Sequence, residues 1–329
     1  MSRSASTAVS MRAIASVVPE ARVKVAELAE AEGLTPPQRQ VYDQLGIETI
    51  AVDDAATAAD LAVRAASLAL ERAGIGATEV DALIEVQSRA PEKLMASEAT
   101  RVQAAIGADR AITFGVSELG CVSISSALLV ARALLHAHPG VDTVLVAHGS
   151  KPTGPRRYRH PVTINGDGGT AVVLTREGPN RIVDIALETN GEYWDLYHVD
   201  YKDTPVADWV EQCTSAKTYS FKLAIESRNR FVRLNEDLLA RSGLTFENVD
   251  AFVMQNLSGG AFRFYEELFG VSFTPSCWDN LRRYGHLGSM DIPFNLGAAL
   301  DNGELKAGDR VLVMNNSPVA AWSTMLVEI

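Results

Sequence analysis

The chain has 329 residues, of which 47% are hydrophobic and 22% charged, with 24 glycines; this is the make-up of a folded globular protein and excludes a disordered one. A formal net charge of −11 argues against nucleic acid or an anionic membrane as partner, because phosphate binding rests on a basic field. Cysteines at 121, 213 and 277 fit neither a disulfide framework nor a short metal spacing, so no metal and a reducing cytoplasm are expected.

The first ten residues are small and polar and read as a flexible tail, with no signal-peptide core, and no run of about 20 apolar residues suggests a membrane span. Thr57 to Ala73 carries a helical pattern, followed by the apolar strand Val80 to Gln87. Cys121 lies in Ser117-Glu118-Leu119-Gly120-Cys121-Val122-Ser123, between a predicted strand and the apolar helix Ser125 to His136. The strand Asp142 to Ser150 comes next. Lys151, Arg156, Arg157 and Arg159 form the densest basic stretch, expected as a solvated loop. Gly166-Asp167-Gly168-Gly169 lacks the spacing of a phosphate loop and reads as a tight turn before a strand. Ser220 to Ser242 is helical, Val249 to Asn256 a strand, Phe294 to Asn302 a helix, and Asp309 to Ser317 a strand.

Two of these strands recur. Val80-Asp81-Ala82-Leu83-Ile84 resembles Val249-Asp250-Ala251-Phe252-Val253, and Asp142-Thr143-Val144-Leu145-Val146 resembles Asp309-Arg310-Val311-Leu312-Val313. Their aspartates lie 169 and 167 positions apart, which points to a duplicated α/β unit. A pseudo-twofold axis between the copies brings the Cys121 turn toward Tyr284 to Asp291, and the strand ending at Gln255 also finishes at a carboxyl edge, where open α/β sheets bind ligands. Cys121, Gln255 and His286 are therefore expected to converge. The positive end of the helix after Cys121 favours thiolate over thiol and makes the residue a candidate nucleophile for acyl transfer.

At these residues the chain resembles the thiolase superfamily, and within it β-ketoacyl-[acyl carrier protein] synthase III. Asn165-Gly166-Asp167-Gly168-Gly169-Thr170-Ala171-Val172-Val173-Leu174 is similar to the family motif F-G-D-G-A-G-A-V-V-L, and Leu305 to Leu312 with Trp322 resembles its C-terminal strand. The resemblance implies a thiolase fold of two α/β halves stacked as αβαβα layers: residues 1–10 a tail, 11–176 the half with the nucleophile, 177–329 the second half. It further implies a homodimer, no tightly bound cofactor, and a coenzyme A or phosphopantetheine thioester as substrate.

The family's catalytic Cys maps onto Cys121, its His onto Gln255 and its Asn onto His286, so the nucleophile is kept and both helpers differ. A glutamine does not titrate near neutrality, whereas the His286 imidazole can take the Cys121 proton and then activate an acceptor. Asp291 is a candidate to orient that imidazole, or simply a helix cap. The oxyanion hole implied by the family falls on the N–H groups of Cys121 and Ser317, with Pro318 offering none. The family's docking arginine is replaced by Gly260, and Leu34 to Leu45 lacks the tryptophan that stacks on coenzyme A.

These features lead to an expected acyltransferase that moves an acyl group from a coenzyme A or acyl carrier protein thioester, through Cys121, to a small-molecule acceptor in specialised-metabolite or polyketide biosynthesis. A decarboxylative β-ketoacyl synthase using a malonyl-type thioester is the alternative within the enzyme class. A non-catalytic subunit of a ketosynthase heterodimer is the alternative outside it.

Overall fold

The computed structural model describes residues 8–87 and 90–329. The architecture is mixed α/β. Strands β1 (Val9–Val17), β2 (Ala82–Val86), β3 (Ile112–Val116), β4 (Thr143–Ser150) and β5 (Gly168–Thr175) belong to the first half. The second half supplies β6 (Arg181–Thr189), β7 (Ala251–Met254), β8 (Arg310–Ser317) and β9 (Ala321–Glu328). Together they form one sheet in the order β7-β8-β9-β6-β1-β5-β4-β2-β3. The helices are α1 (Pro36–Gln44), α2 (Ala58–Ala73), α3 (Glu98–Ile106), α4 (Ser123–Ala137), α5 (Ala224–Arg241), α6 (Gly259–Phe269), α7 (Pro275–Tyr284) and α8 (Asp291–Asp301).

The duplicated phrases occupy equivalent places. β2 pairs in parallel with β4, and β7 with β8, as the continuous apolar runs require of strands covered on both faces. The matched aspartates also do the same work: Asp81 Oδ2 accepts the N–H groups of Asp142 and Thr143 at 2.8 and 3.0 Å, and Asp250 Oδ2 accepts that of Arg310 at 2.8 Å. Each carboxylate starts its neighbouring strand in register. The halves meet where β1 pairs with β6 at only Val9↔Ile182 and Ser10↔Arg181. Val9 and Ser10, assigned to the tail in the sequence reading, are thus buried residues of β1, while residues 1–7 lie outside the described residues. The 176/177 boundary falls in the connection between β5 and β6.

Five layers result. α2 and α3 cover the outer face of the first-half strands, α5 covers β6 and β9, and α4 and α8 lie between the halves, each touching strands of both. α2 begins with a reciprocal cap, Thr57 Oγ1 accepting from Asp60 N and Asp60 Oδ2 from Thr57 N, both at 3.0 Å, and ends at the left-handed Gly74; this is the capping box followed by a glycine stop. Its inner face is alanine-rich, which lets it lie so close that a Cβ on Gly169 would sit 2.3 Å from Leu61 O. The glycines of 166–169 therefore serve close packing and not the tight turn expected from sequence. The stretch Gly120–Ala137 is long and apolar enough to cross a membrane by length and composition, a span the sequence reading passed over; half of it is buried, and α4 forms part of the middle layer.

The basic stretch departs most from expectation. Arg157 pairs with the fully buried Asp167, Arg159 with Glu211, and Lys151 donates to the carbonyls of Asp53 and Ala56. Only Arg156 of the four is exposed. Partners 10 to 98 residues away fold these cations inward, which no local pattern could reveal.

Candidate active site

Cys121 sits in a single helical turn, Gly120–Val122, that leads directly into α4. The equivalent turn of the second half, Gly288–Met290, leads into α8, and the two meet through Ser289 Oγ donating to Gly120 O at 3.0 Å. Asn315 Nδ2 donates to Cys121 O at 2.8 Å, and Ser123 Oγ accepts from Leu119 N at 3.1 Å. The sulfur is thereby held from both halves of the molecule.

His286 arrives at Cys121 by a backbone route that permits little freedom. Its N–H donates to Ile164 O at 2.9 Å and its carbonyl accepts from Gly166 N at 3.0 Å. The residue before it, Gly285, has φ 68° and ψ −152°, and a Cβ there would lie 2.6 Å from Ile164 O, so glycine alone fits this approach.

The side chains form a relay. Cys121 Sγ lies 3.1 Å from His286 Nε2, and His286 Nδ1 lies 2.5 Å from Asp291 Oδ2. Asp291 also accepts from Leu287 N at 2.8 Å and Asn256 N at 3.0 Å. Its carboxylate as acceptor fixes the proton on Nδ1, so Nε2 faces the thiol as base, or as donor once the proton has crossed. Burial pulls the imidazolium down, but the Cys121 sulfur and the Asp291 carboxylate push the other way and prevail, raising His286 to about 9. Asp291 is the first residue of α8 but makes no capping hydrogen bond to that helix; its carboxylate is turned to the imidazole and to the N–H groups of Leu287 and Asn256.

A cavity of about 700 Å³ opens onto Cys121 and is walled by Gly288, Ser289, Pro318 and the segments around Lys151 and Tyr197. His286 and Asp291 are fully buried beneath it. The positive end of α4 lies beside the sulfur and favours a thiolate. Cys277, by contrast, is sealed in the core and its thiol is pushed up to about 11 by burial.

Gln255 does not join this group. Its Nε2 donates to Asn316 Oδ1 at 2.7 Å and its Oε1 accepts from Asn316 N at 3.0 Å, which turns the amide toward β8. Ser317 lies against the nucleophile turn, since a Cβ on Gly120 would be 3.2 Å from Ser317 Cβ. Three asparagines not singled out from the sequence support the relay. Asn256, whose N–H holds Asp291, accepts from Asn295 Nδ2 at 2.8 Å, and Asn295 Oδ1 accepts from Asn280 at 2.9 Å. Asn295 stands one helical turn after Asp291, so its place on the same face was readable from spacing; Asn280 and its partners are joined only by folding.

The chain is similar to known proteins in sequence and in fold. Residues 239–329 match the family described as 3-oxoacyl-[acyl-carrier-protein] synthase III C terminal. A β-ketoacyl-[acyl-carrier-protein] synthase III of Campylobacter jejuni is 24% identical over 325 residues, covering 97% of both chains. Among solved structures, 3-oxoacyl-[acyl-carrier-protein] synthase III of Aquifex aeolicus superposes with a TM-score of 0.82 at 20% identity, covering 98% of this chain and 100% of that one. The acyltransferase ChlB3 superposes with a TM-score of 0.84 at 23% identity, over 98% of each chain.

Proposed function

We propose that the chain, which is similar to β-ketoacyl-[acyl-carrier-protein] synthase III in sequence and fold, is an acyltransferase in which Cys121 carries the acyl group between two half-reactions. The observation that carries this reading is the contiguous Cys121–His286–Asp291 relay beside the cavity. In the first half-reaction Sγ gives its proton to His286 Nε2 and attacks the thioester carbonyl. The tetrahedral oxyanion is met by the N–H groups of Cys121 and Ser317, and the old C–S bond breaks as the departing thiolate takes the proton from His286. In the second, a hydroxyl or amine of a small-molecule acceptor gives its proton to His286 while attacking the acyl carbon, and Sγ leaves. Asp291 stabilises the imidazolium in both.

The donor in this reading is a coenzyme A or acyl carrier protein thioester, with no tightly bound cofactor. The two halves, 9–176 and 177–329, each contribute one side of the relay, and a cytoplasmic homodimer in specialised-metabolite biosynthesis is the setting it fits. The position of Gln255 favours transfer over decarboxylative condensation. An enolate from a malonyl thioester needs donors aimed at one oxygen, and the Gln255 amide is held on Asn316.

Intact-mass measurement after mixing with short acyl-coenzyme A thioesters tests the scheme. The expected result is one acyl adduct on the wild type and none on Cys121→Ala. No adduct with any donor would point instead to a non-catalytic subunit, and carbon dioxide release from malonyl-coenzyme A at the rate of turnover would restore the condensing alternative.

A further inference from the structure

Arg159 is 5% exposed and stands in the wall of the cavity that holds Cys121. It lies on a two-residue strand, Tyr158–Arg159, paired with Thr163–Ile164, so its backbone is fixed. Its Nε–H donates to Glu211 Oε2, and Glu211 Oε1 in turn accepts from Thr153 Oγ1 at 3.3 Å. That pairing uses one edge of the guanidinium. Among the described residues, neither terminal amino group has a hydrogen-bond partner. A cation this deeply buried with open N–H donors is costly unless something supplies the acceptors.

A second inner cation of the wall, Lys151, is already committed to the carbonyls of Asp53 and Ala56 at 2.5 and 2.7 Å. Glu92 and Glu118 stand on exposed loops at the rim. Among the described residues the inner charged lining is therefore Lys151, Arg159 and Glu211, and open N–H donors remain on Arg159. Burial lowers the tendency of this guanidinium to hold its proton, and the charge and hydrogen bond of Glu211 more than restore it, so it remains a cation.

Resting on the reading of Cys121 as acyl carrier, we propose that Arg159 is the specificity-determining residue of the cavity and that it receives a carboxylate borne by the substrate. Two parallel N–H groups at the open end of the guanidinium match the two oxygens of a carboxylate in bidentate fashion, which a hydroxyl or an aliphatic chain end cannot do. The carboxylate can belong to the acyl group or to the acceptor, and the two half-reactions separate these sources.

For the donor arm, acylation of Cys121 by succinyl-coenzyme A is compared with that by butyryl-coenzyme A, read by quenched intact-mass measurement. For the acceptor arm, release of a preloaded butyryl group by 4-hydroxybutyrate is compared with release by 1-butanol. The wild type is expected to prefer the carboxylated partner by about tenfold or more in one arm, the scale of a charge-assisted hydrogen bond. In the double variant Arg159→Met with Glu211→Gln, which removes both charges of the pair, the ratio should fall to near unity, and Arg159→Lys should restore it only in part. A wild type without preference in either arm, or a preference that survives the double variant, overturns the assignment of Arg159 alone. Absence of acylation by both thioesters overturns the function on which it rests, and the assignment with it.

Discussion

Replacing Asp291 by asparagine tests the relay most directly, because it removes one charge and adds almost no volume. The carboxylate accepts from His286 Nδ1, Asn256 N and Leu287 N. An asparagine oxygen can occupy only one side, so its NH2 must face either Leu287 N–H or the pair His286 Nδ1–H and Asn256 N–H. Either orientation leaves a buried donor against a donor, which costs about 1–3 kcal/mol of stability. The same change removes one of the two negative neighbours that raise His286 to about 9, so the imidazolium is surrendered at lower pH and Nε2 becomes a weaker acceptor for the thiol proton. Where the asparagine donates to Nδ1, the tautomer is inverted and Nε2 carries a proton from the start. Acylation of Cys121 should slow by about 10²–10⁴-fold, equivalent to about 3–5 kcal/mol of barrier. Single-turnover acylation by intact mass gives the rate. Alkylation of Cys121 by iodoacetamide, followed over the pH range in which imidazole titrates, should show the wild-type reactivity profile displaced in the variant. A variant that is folded by circular dichroism yet acylated within about tenfold of the wild type would reduce Asp291 to a helix-start acceptor and refute the reasoning.

Other outcomes are equally specific. Gln255→Leu should change acylation by less than about tenfold but lower stability by about 1–3 kcal/mol, as the Asn316 N–H and side chain lose their partner; urea denaturation and burst kinetics distinguish this from a catalytic glutamine. Gly285→Ala should both destabilise and slow acylation, since its φ of 68° and a Cβ 2.6 Å from Ile164 O force the His286 segment away from the sulfur; unchanged kinetics would show that the segment is not held. Glu85, buried in β2, is raised to about 8 by burial and by the charge of Glu98. Its native form therefore keeps a proton that the unfolded chain releases, and stability falls as pH rises from the usual carboxylate range through about 8. Glu85→Gln should flatten that decline in denaturation midpoints measured across the interval, and an unchanged slope would place the titrating group elsewhere.

The parallel strands and long helices were legible because they depend on local pattern. β2, β4, β7 and β8 are apolar runs introduced by aspartates, and Asp81 and Asp250 carry the repeat in plain view. The nucleophile was legible too, since Cys121 stands at a strand-to-helix junction and α4 follows it in sequence. His286 and Asp291 could be proposed from the duplication offset and their five-residue spacing. The antiparallel strands β1, β6 and β9 at the centre of the sheet were not predicted as a set: β1 and β6 pair only with strands far away in the chain, and β9, although it turns straight back on β8, joins them only through β6.

What the amino-acid order determined by itself was the set of chemical groups available and the segments able to bury them: one cysteine at a helix start, one imidazole in the matching turn, and strands apolar enough to be covered on both faces. Folding decided which groups touch. It joined His286 to Cys121 across 165 positions, turned the Gln255 amide away onto Asn316, and drew Arg159 inward to Glu211. The reason is physical: periodicity and propensity act over a few residues, whereas a buried charge or amide settles on whichever partner the packed layers bring within hydrogen-bond reach.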